Sequence, residues 1–411
     1  MAAWFWLISW GLWWLIVSLG AKGATPVIGL IGILALPGLF RKRPDFSPDV
    51  LVLIVFLVWL VVCSLRNGEG VDQIITWDPS ENNYSVNSPA LRLTLSALLA
   101  VFAFWWLHQL DDKMYSRGRM TARVSVVIIG MLSMIAAIAW PLIEQIAYDL
   151  TLDVTDVTLD LMRGNNITVM SLPLFLALLP FRKPVIVIPL ALATGLIMAV
   201  VSYHVDGQAA MLALAGIAIV CAGGYAIGRS IFRVLGIGTA IVLVAAPALF
   251  TGVLAASNTM DREQLPLSFE ARLRSYEYTL DKIQDRWLTG WGVEASKDWN
   301  ETAELNVRGE IFQFPIIPDH PHNMALHAWA ETGLIGVLLL AICSILLGER
   351  LYRTAAPYRA NQLAGASIWV GVITYGLFSY SLLNDSFWMG VVMLASGVLI
   401  VARTERQGQT A

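Results

Sequence analysis

An all-α polytopic membrane protein of about twelve transmembrane helices is predicted by three features of the sequence. Of the 411 residues, 57% are hydrophobic and only 14% charged, against roughly 25% charged in a soluble globular domain. Mean hydropathy is +0.66. Long, nearly uncharged apolar runs recur from end to end, as repeated crossings of a bilayer require.

The predicted helices fall at 4–20, 24–40, 49–65, 89–108, 123–142, 166–180, 184–202, 208–227, 231–254, 326–348, 361–382 and 386–403. Each suits a ~30 Å hydrocarbon core except 166–180, which is short or re-entrant. Residues 1–254 then hold nine helices and 255–325 one long loop. Residues 326–411 hold three helices and a tail. The start of the chain has no basic n-region and no A-x-A site, so it reads as the first helix rather than a leader. Cys63, Cys221 and Cys343 lie far apart inside apolar runs, which suggests packing and neither a disulfide nor a metal framework.

Basic residues orient the helices. One set of loops holds Arg41, Lys42, Arg43, Lys113, Arg117, Arg119, Arg123, Arg182, Lys183, Arg229, Arg233, Arg350, Arg353, Arg359, Arg403 and Arg406. The short loops of the other side hold only Lys22, Arg66, Arg92 and Arg163. The positive-inside rule puts both termini in the cytoplasm. The polar segments 66–88, 143–165 and 255–325 then face the opposite side. ATP is scarce there, so any chemistry must draw on an already activated substrate. No repeat, P-loop or dinucleotide fingerprint is present. The net charge of -3 is uninformative about partners, and no nucleic acid is expected.

Within the long loop, about 267–287 has a helical pattern. Phe269, Leu273, Tyr276, Leu280, Ile283 and Trp287 recur at steps of four and three, making one apolar stripe for a membrane surface or the helix bundle. Arg274 shares a face with Glu270, Glu277 and Asp281, so it is expected to be neutralised. Arg272 lies at the edge of the stripe with no carboxylate three or four residues away. An unpaired guanidinium at a membrane edge suits a bidentate phosphate contact, whereas the bland reading is snorkelling.

Three of the five histidines, His320, His322 and His327, fall within eight residues where this loop meets an apolar helix. Titratable groups at the mouth of a membrane helix are costly and mark a functional site. Pro321 suits a helix start, with His322 and Asn323 beside it. Free N–H groups and positive partial charge there would hold an anion and keep the imidazole neutral as a general base. Asn323, His327 and Glu331 repeat every four residues as a polar ridge. Gly333 and Gly336 let another helix approach. Two further readings are plain capping residues and a metal site of His320, His322, His327 and Glu331, whose spacing matches no familiar ligand pattern.

The segment His322-Asn323, nine residues, Gly333, two residues, Gly336 resembles the H-[NSQ]-x9-G-x-x-G pattern of the bacterial O-antigen ligase and polymerase superfamily. Arg272-Leu-Arg-Ser-Tyr276, Leu280 and Gly290-Trp-Gly292 are similar to that family's arginine–aromatic segment ending in G-x-G, though Trp287 stands where a proline is usual. Arg163-Gly164-Asn-Asn166 resembles its Arg-Gly…Asn stretch more loosely. The resemblance implies a GT-C-like glycosyltransferase of the bacterial inner membrane, with its site at the periplasmic face. The donor is an undecaprenyl-pyrophosphate-linked glycan and the acceptor the lipid A–core. By the same resemblance His322 is the base, and Arg272 and Arg163 bind pyrophosphate. Asn323, His320, His327, Glu331 and Arg274 support them. No cofactor, metal or ATP is implied. A surface-polysaccharide polymerase and a protein O-oligosaccharyltransferase are same-class alternatives. A lipid-linked sugar transporter or flippase is the alternative of another class, disfavoured by the lack of repeats and mid-helix ionisable groups.

Overall fold

In lipid, backbone polar groups find partners only within helices or closed barrels. Every predicted apolar stretch falls on helix in the computed structural model. It describes residues 1–40, 44, 46–66, 75–78, 83–86, 88–181, 183–260, 262–307, 310–318, 320–355 and 358–410. The basic residues Arg41, Lys42, Arg43 and Arg182, together with Asp319 and much of segment 66–88, lie outside the described residues.

The first part comprises α1 (Ala2–Gly11), α2 (Trp13–Ser18), α3 (Ala24–Ala35), α4 (Pro48–Arg66) and the antiparallel hairpin β1 (Ile75–Asp78) and β2 (Asn83–Val86). There follow α5 (Pro89–Leu107), α6 (Asp112–Ile138), α7 (Trp140–Asp149), α8 (Val154–Met170), α9 (Leu172–Leu178), α10 (Pro184–His204), α11 (Gln208–Ile227) and α12 (Ile231–Ser257). The long loop holds α13 (Leu267–Asp285) and a second antiparallel hairpin, β3 (Thr302–Val307) with β4 (Glu310–Pro315), in register Thr302 opposite Pro315. Finally come α14 (Met324–Thr354), α15 (Arg359–Phe378) and α16 (Asp385–Thr410).

The fold is that of an all-α polytopic membrane protein. Among the described residues, seven helical stretches are long and apolar enough to cross a membrane, one of them Gln208–Ser257, where α11 and α12 meet near Gly228. The other predicted segments fall short for local reasons. The helix at 4–20 breaks at Leu12, and the apolar part of 24–40 is only Ala24–Gly38. The stretch 166–180 breaks at Ser171, two residues before Pro173. Segment 361–382 begins with buried Asn361 and Gln362. On α10 the apolar Val185, Ile188, Leu192 and Leu196 stand exposed in one stripe. Such a surface belongs in lipid, since soluble proteins rarely show large apolar patches.

Two polar segments are more ordered than the sequence reading allowed. Residues 143–165, expected as a loop, form most of α7 and most of α8. Asp153 caps α8 by accepting the Thr155 N–H at 2.7 Å, and Asp156 sits in its first turn. Acidic residues at a helix start stabilise it, so the charges there mark a terminus rather than a coil. Helix α6 begins at Asp112, not 123, capped by Asp111. Arg119 and Arg123 donate from this helix to the end carbonyls Ala177 and Leu178 of α9.

Helix α13 lies against the bundle, packed on α12 and α14. Tyr276, Leu280 and Ile283 are buried, but Phe269 and Trp287 are exposed and Trp287 lies past the helix end. The buried face therefore runs through Tyr276, Thr279 and Ile283. Arg272, four residues before Tyr276, sits on that face rather than at its edge.

Candidate functional site

The site is built on a break in α14. Gly333 has φ +64° and ψ -169°, a conformation essentially closed to residues with a side chain, and it splits the helix into a short first part and a long second part. A helix break orphans N–H and C=O groups that must find partners when buried. The loop after α13 supplies them. Leu334 N–H donates to Trp287 O at 2.8 Å and Ile335 N–H to Leu288 O at 3.3 Å. In return Trp291 N–H donates to Ala330 O at 2.8 Å and Gly292 N–H to Glu331 O at 3.0 Å. Trp59 of α4 donates its indole N–H to Thr332 O at 3.0 Å. A Cβ on Gly290 would stand 2.4 Å from Glu331 C, and one on Gly333 2.5 Å from Gly290 N. The glycines at 290 and 333 thus admit a loop into the helix. The expected helix approach at Gly333 is corrected to a backbone threading, because only a chain with free peptide groups can replace the lost helical bonds. At Gly336 the nearest outside neighbour is Trp59.

The first part of α14 carries the polar ridge. Asn323 is its N-cap, its Oδ1 accepting the N–H groups of Ala325 and Leu326 at 3.0 Å each. This corrects the expectation of an anion at the helix N-terminus, since those donors are already taken by an asparagine, among the best capping residues. Pro321 stands before the helix rather than in its first turn. His327 and Glu331 are 2% and 1% exposed, and His327 Nε2 stands 2.9 Å from Glu331 Oε1, though off the line of a straight hydrogen bond. Ser296, from the loop, donates to the same Oε1 at 3.0 Å, while Oε2 has no hydrogen-bond partner. Ser381 lies 3.4 Å from His327 Nδ1.

The other two histidines precede the helix and are half-buried. His322 has φ +52°, rare for a residue with a side chain. Its N–H donates to His320 Nδ1 at 3.0 Å. The His320 ring lies 4.5 Å from that of His322 and stacks on that of His327 at 5.9 Å. Burial, then the nearby His327, His322 and Lys297, push the His320 imidazole down to about 3, so it is a neutral acceptor. Among the described residues no three His, Cys, Asp or Glu side chains converge as metal ligands. The nitrogens that a metal would need face His322 N–H and Glu331 instead.

Arg274 is paired as expected, with Glu270 at 3.1 Å and Glu277 at 3.5 Å; Glu270 also holds Arg262 at 2.7 Å. Arg272 has no ion-pair or hydrogen-bond partner among the described residues. It lies close enough to Tyr276 for its charge to pull down a phenol that burial pushes up, and Tyr276 faces the Asn323 side chain. So α13 brings Tyr276, one helical turn after Arg272, against the turn that carries His322. Arg163 lies on α8, 3.3 Å from Asp160, which also holds Lys22. Its charge acts on Tyr380, whose hydroxyl accepts the Asn166 amide at 3.3 Å. Through Tyr380 and Ser381, Arg163 is linked to the His327 side of the site.

Trp59, Ser296, Tyr380 and Ser381 were not visible as site residues in the sequence. They come from distant segments and carry no motif. Tyr276 was legible as the aromatic after Arg272.

Residues 190–341 match the family model described as O-Antigen ligase. That region runs from α10 into α14 and contains Arg272, both glycine pairs and all three histidines, but not Arg163. The match supports the O-antigen ligase superfamily and, coarsely, a membrane enzyme acting on lipid-linked glycans. No curated protein and no solved structure matches the chain.

Proposed function

We propose that this protein is an O-antigen ligase. It moves a glycan from undecaprenyl pyrophosphate to the lipid A–core at the periplasmic face of the bacterial inner membrane, with both its termini in the cytoplasm. The observation that carries this reading is that Arg272, without an ion-pair or hydrogen-bond partner among the described residues, shares a face of α13 with Tyr276, which faces Asn323 at the strained turn of His322. A base and a guanidinium in one site suit transfer from a pyrophosphate.

His322 takes the proton of the acceptor hydroxyl as its oxygen bonds to C1 of the donor sugar. The bond from C1 to the phosphate oxygen breaks, and undecaprenyl pyrophosphate leaves with the electron pair. Arg272 offsets the charge that develops there, with Arg163 as a second cation across the site. Attack at C1 inverts its configuration. His327 is too buried to meet a substrate hydroxyl, which leaves His322 as the accessible base.

Lipopolysaccharide gels of a deletion strain test the proposal. A ligase predicts loss of O-antigen from the core with accumulation of long lipid-linked chains. A core bearing a single repeat makes the protein a polymerase instead. Loss of O-antigen with the lipid-linked donor trapped on the cytoplasmic leaflet makes it a flippase.

A further inference from the structure

We infer that Glu331 is a positioning residue that holds the histidine group in register and supplies the negative charge opposite the protonated base. The inference rests on the reading of His322 as that base. A carboxylate buried at 1% exposure with one oxygen unpartnered is costly, and such a group inside a membrane protein marks function by default.

Its contacts say what it does. Beside a carboxylate oxygen, His327 Nε2 carries the proton, which leaves Nδ1 as the acceptor toward Ser381 Oγ. The His327 ring is flanked by Glu331 Oε1 at Nε2 and by Ser381 Oγ at Nδ1, and it presents its face to His320. His320 Nδ1 in turn takes the N–H of His322 and so pins the left-handed turn that aims His322. Ser296 and the hydrogen bond from the Gly292 N–H to the Glu331 backbone O tie the same carboxyl residue to the inserted loop. Glu331 is thus joined, contact by contact, to the ring it never touches.

Its charge has a second use. When the acceptor proton arrives on His322, a cation forms in the site. The charged and titratable groups around the histidines, among the described residues, are few. Lys297 is paired with Glu294, and Arg272 and Tyr276 face in from α13. Tyr380 lies beside Ser381, and Cys63 with Arg66 lies on α4. Glu331 is the carboxylate in direct contact with the group. A negative charge at this distance attracts the imidazolium that forms on His322.

The test compares purified Glu331→Gln and Glu331→Asp with wild type in glycan transfer across pH. Glu331→Gln keeps the shape and removes the charge. Its kcat should fall on the order of tenfold to a thousandfold, with KM for the lipid-linked donor unchanged. The acid limb of the rate profile should move to lower pH, by roughly half a unit to one unit for a charge one ring away. Glu331→Asp should return the limb to the wild-type pH while its kcat stays low. A limb that stays in place in Glu331→Gln, or a loss that lies wholly in donor KM, overturns the inference. If the Gln variant does not fold, Glu331→Asp decides alone: wild-type kcat would show that carboxylate placement does not matter. Wild-type turnover in His322→Ala would remove the base itself, a failure separate from that of Glu331.

Discussion

Replacing Gly333 by alanine should strongly destabilise the protein. Its backbone, at φ +64° and ψ -169°, lies in a region that costs a non-glycine residue about 1–3 kcal/mol. The new Cβ would also meet Leu288 C and O and Gly290 N, all at 2.5 Å. These are backbone atoms, so the inserted loop must move. Moving it strains the hydrogen bonds from Leu334 and Ile335 to Trp287 and Leu288, each worth about 0.5–1.5 kcal/mol and more if a donor stays buried and unmade. The sum is roughly 2–6 kcal/mol. Gly252→Ala on α12 is the control, because its Cβ meets nothing within 4 Å. Thermal unfolding in detergent, followed by tryptophan fluorescence, reads the stability, and glycan transfer reads the site. Gly333→Ala should unfold well below wild type and transfer little glycan, while Gly252→Ala should match wild type in both. Equal behaviour of the two variants would refute the threading of the loop through the helix.

The two neighbouring arginines should separate sharply. Arg272→Ala should lose most transfer activity and Arg272→Lys should also be impaired, since a point charge lacks the bidentate fork. Arg274→Ala should keep its activity and lose at most about 1 kcal/mol of stability, as exposed ion pairs do; the reverse order of damage would contradict the assignment. The stability of the protein should fall as pH drops from 6.5 toward about 3, because unfolding frees His320 to take the proton that the folded site refuses. Melting curves of His320→Asn should be flatter over that window, and an identical slope would remove His320 from the explanation.

Much of the site was legible in the sequence because its chemistry is local. The histidines, Asn323 and Glu331 fall at fixed spacings on one segment, and a helical wheel alone separated the paired Arg274 from Arg272. What was missed is long-range. The break at Gly333 exists because a loop some forty residues earlier enters the helix, and nothing in the local pattern marks a helix that another segment repairs. The same holds for Trp59 on Thr332 and Ser296 on Glu331. The helix start near Asn323 was legible, yet the capping side chain takes the Ala325 and Leu326 N–H groups that an anion would have used. In the polar segment 143–165, Asp153 and Asp156, which looked like loop composition, begin a helix, Asp153 as its N-cap.

The central claim is that His322 removes the proton from the acceptor. The direct measurement is the turnover of purified His322→Ala across pH, with lipid-linked donor binding measured on the same sample. The account predicts normal donor binding, a fall in kcat of roughly 10²–10⁴-fold, and loss of the limb in which the wild-type rate drops as the imidazole protonates. Near-normal turnover, or residual activity with the wild-type pH dependence, would contradict it.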